Sequence, residues 1–499
     1  MFYPAQTSLI PVQVALARFL ETNGFAAALG NYPYWYLGTT PFRYLTGPIL
    51  PSVLVGLHKI LPFLSLFEIM LGLVGVVWVV GGVGLYFLIR EMRVNKGLGG
   101  IRRGDWIAFL GAIFYLFGPM VPFLFRFADG LYLIAFSFLP LTLLLQHRML
   151  RENKNHRDEI LLCLLIAFII LLDSLIIPSL LLGMAAIFLA EVGWKKTEEK
   201  LKKSLWLMAY GLLLATIWYT PGYWLTLLGA PSLGGVGVLG VIGWLGKLLP
   251  TALALVMAVF SIKFFKKRNS LRDFCFYWLF IFGFLTALRF LSDPDFWLDW
   301  TAYSTEIQFG FAVLGGTLVR WSLNRQETQN SKLKTQNDNL KLKTFSILIL
   351  FLAFYFLSFV FIFNKHVIGT LQKDITQSVE YRIGKRVSEI ARPGERVFLS
   401  GSTAFWLNAF FDIPQVRGGK DQVSVHPTWR QATWEIREGA TAEAAEKWLK
   451  TLNVKYIVVH TKESKEFYHD FAHPEKFEGV EGFEKIYEEE GDRIYRIED

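Results

Sequence analysis

Cysteine is almost missing from this chain of 499 residues: Cys163 and Cys275 are the whole supply, and each sits inside an apolar run. Two such residues cannot make a disulfide framework or a zinc site of recognisable spacing, so both read as packing residues. Charge is scarce as well, at 19%, where soluble domains carry roughly 25%. The first twenty residues lack a basic start and contain Pro4, Pro11 and Arg18, which does not suit a cleavable signal peptide. Walker A, HExxH and G-x-S-x-G patterns are all missing. Gly235-Val-Gly237-Val-Leu-Gly240 matches a dinucleotide fingerprint on paper, but it follows no strand and falls in a Gly-rich connector, so it reads as a loop.

Long apolar runs, by contrast, are plentiful. Hydrophobic residues make up 53% of the chain and aromatic ones 16%. A membrane span needs roughly 20 mostly apolar residues. The runs predict about ten spans, near 66–90, 106–124, 129–146, 160–176, 178–193, 204–221, 247–265, 274–291, 304–321 and 344–364. The stretch 160–193 would be about 51 Å long as one helix, too long for a single crossing. Asp173, Ser174 and Pro178 break it, so two short helices with a turn are expected.

Basic residues decide the sidedness. The connectors at 90–103, 147–157, 194–203, 263–272 and 320–343 carry 5, 4, 5, 5 and 6 Lys or Arg. The alternate connectors carry Arg126 and almost nothing else. The positive-inside rule then puts the basic loops in the cytoplasm and both chain ends outside the plasma membrane. A pI of about 9.2 therefore reflects membrane topology, not a nucleic-acid partner.

The expected organisation has three parts. Residues 1–62 form an external membrane-surface segment, with short amphipathic helices at 8–20 and 49–61 around a Tyr/Trp/Pro/Gly-rich stretch. Residues 63–365 form the transmembrane helical domain, and 366–499 an extracytoplasmic α/β domain. In that tail, helices are expected near 371–391 and 441–452, with Ser402 capping another that runs to Phe411. Strands are expected at Arg396–Ser400 and Lys455–Thr461, with a closing hairpin at 483–488 and 492–497. An external segment with no span before it leads one to expect a further helix ahead of Met1.

Ionisable groups at a membrane edge are functional candidates, because burying them is costly. Asp129, Glu306 and Asp173 offer carboxylates for acid–base work, and Arg126, Arg289 and Arg43 offer guanidinium groups for an anionic headgroup. Asp173 reads first as a turn former near the outer edge, with a functional carboxylate as the alternative. Asp293-Pro-Asp295 is a candidate seat for a divalent cation, though carboxylate-rich loops are usually just solvated. In the tail, Arg417-Gly-Gly-Lys420-Asp421 and His426-Pro-Thr-Trp429-Arg430, followed by Trp434, form a basic, aromatic loop suited to sugars and phosphates.

Three stretches carry a family likeness. Asn31-Tyr-Pro-Tyr-Trp35-Tyr-Leu-Gly38-Thr-Thr-Pro41, Trp300–Gln308 and Leu452–Val459 resemble segments of large bacterial 6-pyruvoyl-tetrahydropterin synthase-related and YfhO-like membrane proteins. That group is similar in turn to the GT-C glycosyltransferase superfamily. The resemblance implies transfer of a sugar from a polyprenyl-phosphate carrier to a glycan or protein acceptor outside the cytoplasmic membrane. It also implies a catalytic carboxylate at the start of the first external loop. Residues 1–62 hold only Glu21 as an acid, so that position is expected to precede Met1. Asp129 matches a second acidic position of such enzymes, and Glu306 is the other catalytic candidate. Arg126, Arg289 and Arg43 are expected on the lipid phosphate. Trp35, Tyr36, Trp300, Arg417, Lys420 and Trp429 are expected to bind acceptor or sugar. A non-catalytic flippase of lipid-linked sugar and a surface-assembly protein are the alternatives.

Overall fold

The computed structural model describes residues 10–39, 47, 49–93, 101–118, 121, 124, 130–151, 156–192, 197–223, 225, 249, 252–257, 269–292, 303–331, 374–419, 424 and 426–498. The chain is mostly helical. Helices α1 (Ile10–Asn23) and α2 (Ile49–Ile60) precede a bundle of α3 (Leu66–Arg93), α4 (Ile101–Phe117), α5 (Gly130–Ser137), α6 (Leu139–Arg151), α7 (His156–Leu172), α8 (Ile177–Glu191), α9 (Thr197–Ala215), α10 (Ser270–Ser292) and α11 (Ser304–Ser331). Among the described residues, four helical stretches are long and apolar enough to cross a membrane: Leu66–Met92, Gly130–Arg151, Ser174–Glu191 and Ser270–Ala287. The expected spans at 344–364 and, for the most part, 247–265 lie outside the described residues.

The break expected inside 160–193 is present. Helix α7 ends at Leu172, a 3₁₀ turn covers Ser174–Ile176, and α8 restarts at Ile177 with Pro178 in its first turn. Proline suits that position because its missing N–H has no helical partner there anyway. Asp173 caps the turn, its carboxylate accepting from the Leu175 N–H at 3.0 Å.

The tail is a four-stranded sheet of order β1-β2-β4-β3 with helices around it. Strand β1 (Arg396–Phe398) runs parallel to β2 (Val454–His460). Strands β3 (Phe483–Glu489) and β4 (Asp492–Ile497) form an antiparallel hairpin against β2. The hairpin turn is Glu490-Gly491, both at positive φ (49° and 81°), the geometry that matches the right-handed twist of its strands. Helices α12 (Val379–Ile390), α13 (Gly401–Phe410), α14 (Trp429–Glu438) and α15 (Ala442–Thr451) complete the tail.

Three expectations change. The helix expected over 371–391 begins at Val379, where Ser378 caps it through the Tyr381 N–H at 3.2 Å. Ser402 does not cap α13; it lies inside the helix, and its hydroxyl donates to Glu380 at 3.0 Å and to Glu466. Residues 429–434, expected as part of a binding loop, belong to helix α14 (Trp429–Glu438). Its buried positions Trp429, Ala432, Thr433 and Ile436 follow helical spacing.

Helix α3 fixes the overall arrangement. Phe67, in its first turn, stacks on Trp406 and Phe410 of α13, with ring centroids 5.2 and 5.6 Å apart. At its other end Arg90 pairs with Asp105 at 3.0 Å, and Glu91 accepts from the guanidinium of Arg148. Twenty-three residues of α-helix separate Phe67 from Arg90, about 35 Å. At that end gather the basic ends of neighbouring helices: Arg151 reaches the Glu91 carbonyl at 3.5 Å and Glu191 at 3.2 Å, and Lys200 near the start of α9 donates to the Leu150 carbonyl. The tail therefore sits at one end of the bundle and the Lys/Arg-rich helix ends at the other.

Candidate functional site

The described candidates fall in two places. The first is the junction between loop 31–39 and the tail. The loop closes on itself, with the Tyr32 N–H donating to the Thr39 carbonyl at 2.6 Å and the Thr39 N–H returning to Tyr32 at 3.1 Å. Its rings pack edge to face, Phe19 on Tyr32 at 4.8 Å and Tyr32 on Tyr34 at 5.3 Å, the arrangement the ring quadrupoles favour. Burial and the nearby Asp412 charge hold the Tyr32 phenol well above its ordinary pKa, so it stays neutral.

Four of the residues expected to bind acceptor or sugar meet here. The Trp35 indole donates to the Asn408 side-chain carbonyl at 2.8 Å. The Tyr36 hydroxyl donates to the Gly418 carbonyl, and its ring meets Trp429 edge-on at 5.3 Å. The Trp429 indole donates to the Val416 carbonyl at 2.7 Å. Arg417 pairs with Asp470 at 2.8 Å, and Arg437 approaches the same carboxylate at 3.5 Å. Burial alone would push Asp470 up. Arg417, Arg437 and the Gly401 N–H overcome it and hold the carboxyl below its ordinary range. All four expected residues are buried. Their polar atoms serve to dock the N-terminal loop onto the tail, an arrangement that residue types alone did not reveal because the partners lie some 370 positions apart in sequence.

The second place lies inside the bundle, in its tail-facing part. Glu306, in the first turn of α11, is fully buried. Its Oε1 lies within hydrogen-bond reach of the hydroxyls of Tyr132 on α5 and Ser179 on α8, which are themselves 2.9 Å apart. The Trp278 indole on α10 donates to the Glu306 backbone carbonyl at 2.7 Å. Carboxylate Oε2 has no hydrogen-bond partner among the described residues. Tyr132 and Ser179 were not among the sequence candidates, since a lone Tyr and a lone Ser in apolar runs carry no spacing signal.

Asp129, Arg126, Arg43, Trp300 and Lys420 lie outside the described residues, as do Asp293 and Asp295. Arg289 is on α10. Among the described residues no group of three or more His, Cys, Asp or Glu side chains is placed to hold a metal ion.

The class these features define is a helical protein with membrane-spanning character that carries a small α/β tail. The sequence matches no family profile and no curated protein. Among solved structures, the apo form of ArnT from Cupriavidus metallidurans is similar over 99% of this chain and 94% of its own, at 11% identity and a TM-score of 0.48. The Archaeoglobus fulgidus oligosaccharyltransferase, solved with zinc and sulfate, is similar over 98% of this chain and 69% of its own, at 14% identity and 0.49. The mycobacterial arabinofuranosyltransferase AftD is similar over 99% of this chain but only 38% of its own, at 13% identity and 0.48. With identities of 11 to 14% and TM-scores all below one half, these likenesses carry no argument about function.

Proposed function

We propose that this chain is a GT-C-type glycosyltransferase of the plasma membrane, moving a sugar from a polyprenyl-phosphate carrier to a glycan or protein acceptor on the non-cytoplasmic side. One observation carries the reading. The aromatic N-terminal loop and the α/β tail form one packed body against the bundle end opposite the Lys/Arg-rich helix ends. The positive-inside rule makes that body external, the side on which a lipid-linked sugar would be used.

In this reading Asp129 takes the proton from the acceptor hydroxyl. The freed oxygen attacks the anomeric carbon, the bond from that carbon to the phosphate oxygen breaks, and polyprenyl phosphate leaves with inversion. Arg126, Arg289 and Arg43 neutralise the phosphate charge as it develops. In sequence Asp129 directly precedes α5 and stands three residues before Tyr132, whose hydroxyl meets Glu306. A divalent cation at Asp293 and Asp295 is not required by this chemistry.

The experiment supplies lipid-linked sugar and acceptor to the full chain in membranes and follows formation of a glycosidic bond. Asp129→Asn and Arg289→Ala are expected to abolish it; undiminished transfer by either variant removes that residue's role. The buried Glu306 favours a second reading, a carrier that moves lipid-linked sugar across the bilayer. That reading predicts movement of the substrate with no new bond.

A further inference from the structure

Glu306, Tyr132 and Ser179 pose a proton-counting problem. Three oxygens, Glu306 Oε1, the Tyr132 hydroxyl and Ser179 Oγ, are all within hydrogen-bond reach of one another. A closed triangle of three hydrogen bonds needs three protons. The two hydroxyls supply two. The third can come only from the carboxyl: Glu306 donates to Tyr132, Tyr132 to Ser179, and Ser179 back to Glu306, each oxygen giving one bond and accepting one. Ionised, Glu306 would draw both hydroxyl protons to itself and leave Tyr132 facing Ser179 at 2.9 Å with no proton between them.

The surroundings agree with the neutral form. No Lys, Arg or His among the described residues pairs with Glu306, and a buried unpaired charge is strongly disfavoured. The unpartnered Oε2 is then the oxygen of a neutral carbonyl, far less costly to leave bare than a carboxylate oxygen. Among the described residues, the titratable groups nearby are Tyr132 itself, Tyr303 just before α11, and Asp173 in the turn before α8. From the described part of α10 the Trp278 indole reaches the Glu306 backbone carbonyl at 2.7 Å. None of these is a cation.

We propose that Glu306, Tyr132 and Ser179 form a proton-binding triad that ties α5, α8 and α11 together inside the bundle. Its ligand is a single proton carried on the Glu306 carboxyl. Release of that proton removes one bond of the triangle, the one between Tyr132 on α5 and Ser179 on α8, so proton occupancy is coupled to how these helices meet. The inference stands independently of the transferase reading.

Infrared difference spectroscopy on the full chain in lipid bilayers tests it. At neutral pH the wild type is expected to show the carbonyl stretch of a protonated carboxyl group, sensitive to deuterium exchange and lost in Glu306→Gln. A wild-type-minus-variant spectrum with only carboxylate bands at that pH overturns the proposal. Should Glu306→Gln fail to accumulate, Tyr132→Phe serves in its place. Removing one bond of the triangle shifts the protonated-carboxyl band under the proposal; an unshifted spectrum contradicts it.

Discussion

Trp35 donates its indole N–H to Asn408 at 2.8 Å across 373 positions of sequence. Asn408 is the polar centre of the loop–tail junction. Its carbonyl also accepts from Gln415 at 2.7 Å, and its amide donates to the Phe411 and Ile413 carbonyls at 3.0 and 2.9 Å. With the Trp35 ring fully buried, Trp35→Ala is expected to destabilise the tail by about 3–5 kcal/mol. Denaturant unfolding of the purified chain measures this. A double-mutant cycle of Trp35→Phe with Asn408→Ala is expected to return a coupling of about 0.5–3 kcal/mol; additive effects would mean the two do not share the bond.

Gly418 tests the same junction from the other side. Its φ is +118°, and a Cβ there would lie 2.1 Å from the Trp35 ring. Gly418→Ala combines backbone strain with a steric clash and is expected to cost about 1–3 kcal/mol or more. Gly394, at φ +87° with open space around it, supplies the control: Gly394→Ala bears only the strain, about 1–2 kcal/mol. Equal losses at the two glycines would argue against close packing of Trp35 on Gly418.

A buried imidazole sets a pH dependence in the tail. Burial pulls His460 down, but its contact with Asp492 at 2.7 Å and the charges of Glu466, Asp492 and Asp470 more than offset this. They hold His460 above its ordinary value of 6.5. A folded-state value above the unfolded one means the stabilisation is complete below pH 6.5 and disappears as pH rises through the folded-state value. The depressed Asp470 works in the opposite direction: its contribution is present above its ordinary 3.8 and is lost as pH falls. Thermal unfolding across pH is expected to show tail stability declining as pH rises above 6.5, with His460→Gln flattening that decline and leaving the acid limb in place.

Much of the architecture was legible in the residues. The Glu490-Gly491 turn and the break after Leu172 each rest on a local signal: a Gly between two alternating runs and a length limit. Helix α14 was legible too, but the aromatic and basic residues Trp429, Arg430 and Trp434 drew the reading toward a binding loop. The apolar spacing from Trp429 to Ile436 was the better guide. The loop–tail junction was not legible, because exposed-looking aromatics become buried only when a partner hundreds of residues away is supplied. The same holds for Glu306: its position near a helix start marked it as a candidate, but nothing in the sequence pointed to Tyr132 and Ser179.

The most direct test concerns which side of the membrane each end of the bundle occupies. In a chain with Cys163 and Cys275 replaced by alanine, single cysteines at Lys202 and Lys465, whose side chains are 68% and 70% exposed, report on the basic helix ends and on the tail. A membrane-impermeant maleimide applied to intact cells is expected to label Lys465→Cys at once and Lys202→Cys only after permeabilisation. Labelling of both in the same compartment, or the reverse pattern, would contradict a tail held outside.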